Sequence, residues 1–484
     1  MKNKKIIAVV VFAAAVIAVI VALAFIIKGG IGNNNTAGST SASTSGTTSA
    51  STSGTVAGDF VFPPLCGVHE FGDDGVCDVC YVISEDIAVF KFCGDGGERS
   101  ALIGFKSGTV LPEMVRIPDE YQGRPVESIL KGCFEKQKTL RALLLPDSIR
   151  FIYPDAFSLC TSLEYVNSPK ELERIGRAAF YTCPSLASFH IPEGVIEIQA
   201  GAFSCMKEGF TVTVDPKNTV YHESGNCLID TKRKMLVYGN SASVIPDDGS
   251  VNTIGQYAFK YDKYIKEIDI PASVDFIYGE AFSACASLEK VTMRGVDTVG
   301  GGAFQGCKNL ETVIFSDALE LIEGNAFAGC SRLREAVLPK SLYRIGAGAF
   351  MNCTSLVSVQ IDEGVREIDM SAFSGCSSLG SIVLPESLTE IGESAFNGCK
   401  SLKKVTVPSR IEEIGKYTFR GCDRLEVINV PEGVQKIYES AFDDCEMLTA
   451  INYGGTVKRW KEISYDIIGG CTVYCEDGRI NLWE

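Results

Sequence analysis

One aromatic residue returns along this chain with nearly the same neighbours each time. Phe134, Phe157, Phe180, Phe203, Phe259, Phe282, Phe304, Phe327, Phe350, Phe373, Phe396, Phe419 and Phe442 mostly stand about 23 residues apart. A typical unit reads Leu379-Gly-Ser-Ile382-Val-Leu384-Pro385-Glu-Ser-Leu388-Thr-Glu-Ile391-Gly392-Glu-Ser-Ala395-Phe396-Asn-Gly398-Cys399, and a near copy begins at Leu402. Self-similarity at such a period means stacked coils, because one short unit cannot bury its apolar side alone. Within each unit Leu-x-x-Val-x-Leu-Pro alternates apolar and polar, which predicts a half-buried strand ended by a proline that has no amide to donate. Gly392 then reads as a tight turn, and Ala395 and Phe396 return to the interior. The fold class expected is a β-rich solenoid of about 23-residue coils, with one long parallel sheet along one face and a transmembrane helix before it.

The period slips in three places. Phe282 to Phe304 is one residue short, Phe203 to Phe259 is stretched, and the pattern ends after Leu448. The stretched interval, about 207–250, contains two apolar runs, Cys227 to Asp230 and Met235 to Tyr238, around the basic stretch Lys232-Arg-Lys234. That arrangement predicts a hairpin interrupting the stack.

The first 58 residues are of a different kind. Ile6 to Ile27 is an unbroken apolar run behind Lys2, Lys4 and Lys5, long enough to span a bilayer with its basic flank inside. It exceeds the apolar core of a cleaved leader, so it reads as an uncleaved anchor, with Ala22-Leu-Ala24 as the cleavage site otherwise. The organisation expected is a cytoplasmic basic flank at 1–5, a signal anchor at 6–27, a Ser/Thr-rich tether at 28–58, an N-terminal cap at 59–113, the solenoid at 114–448 and a C-terminal cap at 449–484. This places the protein in the cell membrane, single-pass, with the bulk of the chain extracellular. A net charge of -15 argues against nucleic acid as a partner, since phosphate binding needs a cationic face.

Of the 19 cysteines, ten follow a repeat phenylalanine by three positions, from Cys160 to Cys445. They read as a column of small buried hydrophobes, because side chains at equivalent positions of stacked coils run parallel instead of facing each other as a disulfide requires. Outside that column, Cys66-Gly-Val-His69 and Cys77-Asp-Val-Cys80 are two chelating pairs with the spacing that lets both members reach one tetrahedral zinc. The alternatives at these residues are two local disulfides or simple packing of the cap. Four protein ligands would leave no open position for water, so such a zinc would be structural. Asp73, Asp74 and Asp78 hint at calcium, but a loop ending in a glutamate ligand is missing. Cys471 and Cys475 either pair or stay free.

Catalysis finds little support in the residues. His190 and His222 have no nucleophile partner visible in the sequence, and Gly300 to Gly302 lies in a repeat turn instead of opening a phosphate-binding helix. The strand alternation instead aims one column outward through the central and later coils: Thr292, Ile314, Val337, Gln360, Val383, Thr406 and Asn429. Ile314, Val337 and Val383 make an apolar stripe rimmed by polar residues, which suits a protein-binding patch; the alternative is that β-branched residues there only support the sheet.

The repeat Leu-x-x-Val-x-Leu-Pro-x-x-Leu-x-x-Ile-Gly-x-x-Ala-Phe-x-x-Cys, running from about Val115 to Leu448, closely resembles the BspA-type leucine-rich repeats of bacterial surface proteins. Tyr453-Gly-Gly-Thr-Val-Lys-Arg-Trp460 also looks like an end cap of such proteins. The resemblance implies a curved solenoid on the cell surface, used for adhesion, host-matrix binding or cell aggregation, with an extracellular protein or glycoprotein as partner. It carries over no catalytic residues and no catalytic cofactor. The function expected is a membrane-tethered, ligand-binding solenoid and not an enzyme; an accessory module or hydrolase of cell-wall polymers, or a plain spacer, are the alternatives.

Overall fold

The period in phenylalanine becomes a physical column. In the computed structural model, which describes residues 55–57, 60–93, 99–106, 109–465 and 470–482, successive rings stack with centroids 4.6–5.7 Å apart and planes within 2–18° of parallel. That spacing is close to the distance between hydrogen-bonded strands, so one ring fills each level of the coil. All the described residues fall within the unit Ala50–Glu484. The anchor expected at 6–27 lies outside the described residues, and among these no helix is long and apolar enough to cross a membrane.

One expectation is corrected. Each coil contributes to two parallel ladders, not to a single sheet along one face. The front ladder holds the Leu-x-x-Val-x-Leu strands, such as Glu267–Ile270, Lys290–Met293 and Ser358–Ile361, with residues of successive coils in direct register. The back ladder is built from two-residue strands, among them Leu321–Ile322, Arg344–Ile345, Glu367–Ile368 and Glu390–Ile391. Two residues are too few to show alternation, so no period-two signal marks this second ladder in the sequence.

Between the ladders the chain turns around each phenylalanine, and here too coils bond to coils. Phe350 donates its amide to the Ala372 carbonyl at 2.8 Å, and Phe373 to Ala395 at 2.8 Å. Left-handed residues flank the ring, as with Ser394 at φ 59° and Gly398 at φ 73°. Gly392 opens the turn, its carbonyl accepting the Ala395 amide at 3.2 Å, but it lies outside the left-handed region, and a Cβ there would come 2.4 Å from the Met370 amide nitrogen. Its role is to let two coils approach where Asp369 occupies the same slot one coil earlier.

The thiol column has a bonding role. Cys160, Cys183, Cys285, Cys307, Cys330, Cys353, Cys376, Cys399, Cys422 and Cys445 each donate to the carbonyl of the repeat phenylalanine one coil back, at 2.9–3.3 Å. The same carbonyl also accepts the amide three residues on, as Phe350 does from Cys353 at 3.1 Å, so the thiol serves its second lone pair; cysteine is small and apolar enough for the core while still offering a weak donor. All ten are buried except Cys445, which is partly so.

The stretched interval divides the interior. Strands Cys227–Asp230 and Met235–Tyr238 pair antiparallel around the basic turn, Tyr221–Ser224 adds a third strand, and Met235–Tyr238 passes into the next coils through Thr253–Ile254. Cys227 and Ile229 pack into the core that continues to Val473, whereas Leu228 packs into the core that begins at Val76. A strand that is apolar on both faces thus joins two stacks. The phenylalanine column stops at this plug, where Phe203 meets Phe210 and Tyr238.

Both ends of the stack close on antiparallel strands. Ala88–Cys93 and Arg99–Phe105 start the back ladder, and Thr472–Cys475 with Gly478–Asn481 finishes the front ladder. Thr456 caps the short helix Val457–Trp460 by accepting from the Arg459 amide, and fully buried Trp460 packs edge-on against Tyr453 at 5.2 Å. Such caps cover edges that would otherwise pair with another chain.

Candidate binding face and metal centre

Alternation along the front strands sends every second side chain out of the core, and ladder register sets these side chains above one another. Thr292 lies beside Ile314, Val337 beside Gln360, and Thr406 beside Asn429. Ile314, Val337 and Val383 are 49%, 57% and 77% exposed. Gln360 and Thr406 are also exposed, whereas Thr292 and Asn429 are half-buried. Polar members further along bond to one another: Asn429 donates to Thr406 at 2.8 Å, and Asn452 to Asn429 at 2.9 Å.

The ladder that carries this column is interrupted. Thr312–Ile314 does not bond to Glu335–Leu338, nor does Ser381–Ile382 bond to Lys404–Thr406. At the first gap lies a groove of about 650 Å³, with Ile314, Phe315 and Val337 in its wall and Asp317, Lys340 and Asp362 around them. Phe315 stands where other coils have Leu338, Ile361, Leu384 or Val407, and its ring packs edge-on against Phe327 at 5.6 Å. The following strand carries the small Ala336 at the level of Val359. The groove opens between these two coils. Phe315 was missed in the sequence reading, although its departure from the repeat was visible.

The second site lies before the first repeat. The ligand atoms of Cys66, His69, Cys77 and Cys80 all fall within 4.8 Å of one another. Cys66 Sγ is 3.0 Å from His69 Nδ1, 3.5 Å from Cys77 Sγ and 3.4 Å from Cys80 Sγ, and Cys80 Sγ is 3.3 Å from the same imidazole nitrogen. Local backbone explains the convergence. Tyr81, left-handed at φ 63°, donates to the Cys77 carbonyl at 2.9 Å and folds Cys77–Cys80 into a knuckle, and bridges from Phe71 to Cys77 and from Val76 to Ile83 frame it. Gly75 is required at φ 73°, since a Cβ there would sit 2.4 Å from Ile87.

Two of the thiols differ in charge preference. Burial pushes Cys66 up to about 12, helped by hydrogen bonds with Cys77 and Cys80. Burial also acts upward on Cys77, but bonds from the backbone of Cys80 and Val79 and from the side chains of His69 and Cys66 bring it down to about 6. Arg116, whose guanidinium donates to the Pro63 carbonyl at 2.6 Å and lies over the Phe62 ring, is close enough to Cys80 and Cys66 to feel their charge.

The remaining histidines lie apart from both places. His190 Nδ1 is 3.0 Å from the Thr213 hydroxyl and His222 Nδ1 is 2.8 Å from that of Thr231, and both pairs are exposed.

The family model for the BspA type leucine rich repeat region matches residues 127–248, 238–357 and 343–471, well over half of the sequence. The chain belongs to the BspA-type leucine-rich repeat family. The match takes in the irregular interval and reaches into the C-terminal cap, but the Cys66–Cys80 cluster lies before it. This BspA-type solenoid is similar in structure to a leucine-rich repeat protein from Bacteroides ovatus, at 24% identity and a TM-score of 0.51 over 79% of this chain and 99% of that one. A leucine rich cell surface protein from Faecalibacterium prausnitzii aligns over 79% of this chain and 99% of its own at 27% identity, with a TM-score of 0.46. No curated protein sequence matches the chain.

Proposed function

We propose that this BspA-type protein is a non-catalytic, membrane-tethered surface receptor that holds an extracellular protein or glycoprotein on its front ladder. The observation that carries the reading is the exposed β-branched stripe of Ile314, Val337 and Val383 beside a groove of about 650 Å³ at a gap in the ladder. Isolated exposed apolar residues are ordinary, but apolar residues at the same repeat position in three coils, next to a concavity with charged residues around it, resemble the centre and rim of a protein interface. Family membership and the apolar run at 6–27 support the surface location, and the tether of Ser, Thr, Gly and Asn after it would hold the solenoid clear of the bilayer.

The test is binding of the full chain to immobilised matrix proteins, mucins and glycoproteins, compared with a variant carrying Ile314→Asp, Val337→Asp and Val383→Asp. Saturable binding abolished in the variant, with its far-UV circular dichroism unchanged, is the expected result. Binding that survives the three charges would move the contact off this face, and absence of any saturable partner would leave the chain a spacer.

A further inference from the structure

We propose that one zinc ion, held by Cys66, His69, Cys77 and Cys80, clamps the N-terminal cap onto the first strand of the solenoid, with Arg116 as its counter-charge. The donor set is the first argument. In a tetrahedral site with zinc–sulfur bonds near 2.3 Å, sulfurs lie about 3.8 Å apart. The two sulfur–sulfur contacts of 3.4 and 3.5 Å and the two imidazole contacts of 3.0 and 3.3 Å fall a few tenths of an ångström short of such a shell. A disulfide needs two sulfurs near 2.05 Å and gives the imidazole no reason to point at them. Here Cys66 is nearly equidistant from Cys77 and Cys80, and His69 Nδ1 faces the same centre.

The second argument is where the four ligand residues sit. Among the described residues, Cys77, Cys80 and Val82, with Cys66 against them, form a cluster separate from both long cores of the stack. Val76 and Ile83 of the same loop reach the long core, and a closed four-ligand zinc would tie the separate cluster to them. The zinc loop would grip the solenoid directly, because Arg116 at the end of the strand Met114–Arg116 donates its amide to the Tyr81 carbonyl at 2.7 Å and accepts from the Ile83 amide at 3.1 Å. Met114–Arg116 is the outermost long strand of the front ladder, so the cluster covers an edge.

Charge is the third argument. Binding sends the thiol protons to solvent, and three thiolates with a neutral imidazole leave a zinc site with one net negative charge. Arg116 Nε is buried without a hydrogen-bond partner, and the guanidinium lies within electrostatic reach of Cys80, Asp119 and Cys66. A buried cation needs a compensating charge.

The experiment uses the full chain purified without reductant or added chelator. Mass-spectrometric metal analysis is expected to find one zinc per chain, lost in Cys80→Ser and retained in the control Cys475→Ser. Cobalt substitution should give the absorption of a tetrahedral sulfur-rich site. Arg116→Met should weaken zinc, read by chelator competition, by about tenfold or more, as loss of a group beside the ligands commonly does, and Arg116→Lys should recover part of it. Wild-type chain with less than a tenth of an equivalent of zinc, or peptide mapping that finds the cysteines oxidised to disulfides, overturns the site. Unchanged zinc affinity in Arg116→Met overturns the counter-charge.

Discussion

The interior column and the outward front column run through the same coils in the same register, yet they obey different rules. Inside, the ring and the thiol are repeated with few exceptions: Phe350 over Phe327, Cys376 bonded to the Phe350 carbonyl, Cys353 to that of Phe327. Outside, one slot passes from Asp269 through Thr292, Ile314, Val337, Gln360 and Val383 to Thr406 and Asn429. A coil must match its neighbours wherever it touches them, so interior positions are held to one size and one donor. An outward position meets only the side chains above and below it and the solvent. Its departures from repetition are therefore where a specific partner could be encoded, and the apolar departures gather by the gaps in the ladder.

That contrast can be broken in four ways, starting with pH. Burial raises Cys160, Cys183, Cys285, Cys330, Cys353, Cys376 and Cys399, the first and sixth of these to about 12, above the ordinary value that they regain on unfolding. The folded form therefore binds more thiol protons than the unfolded form once pH passes about 9, so stability is full below that point and lost as pH climbs toward 12. Each such thiol contributes a slope of about 1.4 kcal/mol per pH unit across that window, so the column as a whole should collapse the solenoid at alkaline pH. Urea midpoints that stay flat from pH 8 to 11 would show that the thiols are not held neutral inside.

The next effect belongs to the ring. Phe350→Ala should cost about 3–5 kcal/mol and open the stack locally, because each coil depends chiefly on its neighbours. Hydrogen exchange around Phe327 and Phe373 should rise together, and a loss below 1 kcal/mol in urea unfolding would contradict a close-packed column. Cys376→Ala should cost less, about 0.5–1.5 kcal/mol, since the Phe350 carbonyl loses one of its two donors and keeps the Cys353 amide. If that change proves neutral by the same measurement, the thiol is only filling space.

The smallest effect on stability should come from the front. Val383→Asp is expected to shift the urea midpoint by no more than about 0.5 kcal/mol, as surface changes away from special features usually do, while weakening any partner seated there. A core-sized loss would erase the distinction between the two columns.

The interior was the readable part of this molecule. Phe134 to Phe442 and the cysteines behind them repeat visibly, and the alternation of Lys290–Met293 or Ser358–Ile361 identifies a strand with one buried face. The back ladder was unreadable because strands such as Glu367–Ile368 span two residues. The chelating pairs could be seen by spacing, but nothing in Met114-Val-Arg116 indicates that its guanidinium would lie beside them. Gly392 reads as a turn residue, and the close approach to Met370 that also requires glycine there was not visible in the sequence.

By itself, the sequence determined that this chain stacks coils of about 23 residues around aromatic rings, because period and hydrophobic alternation act between neighbours along the chain. Tertiary structure alone decided that there are two ladders, that each thiol bonds to a carbonyl one coil back, that the front ladder parts beside Phe315, and that Arg116 meets the Cys66–Cys80 cluster. These are matters of distance between residues about 23 to 50 positions apart, and such distances exist only once the coils have closed on one another.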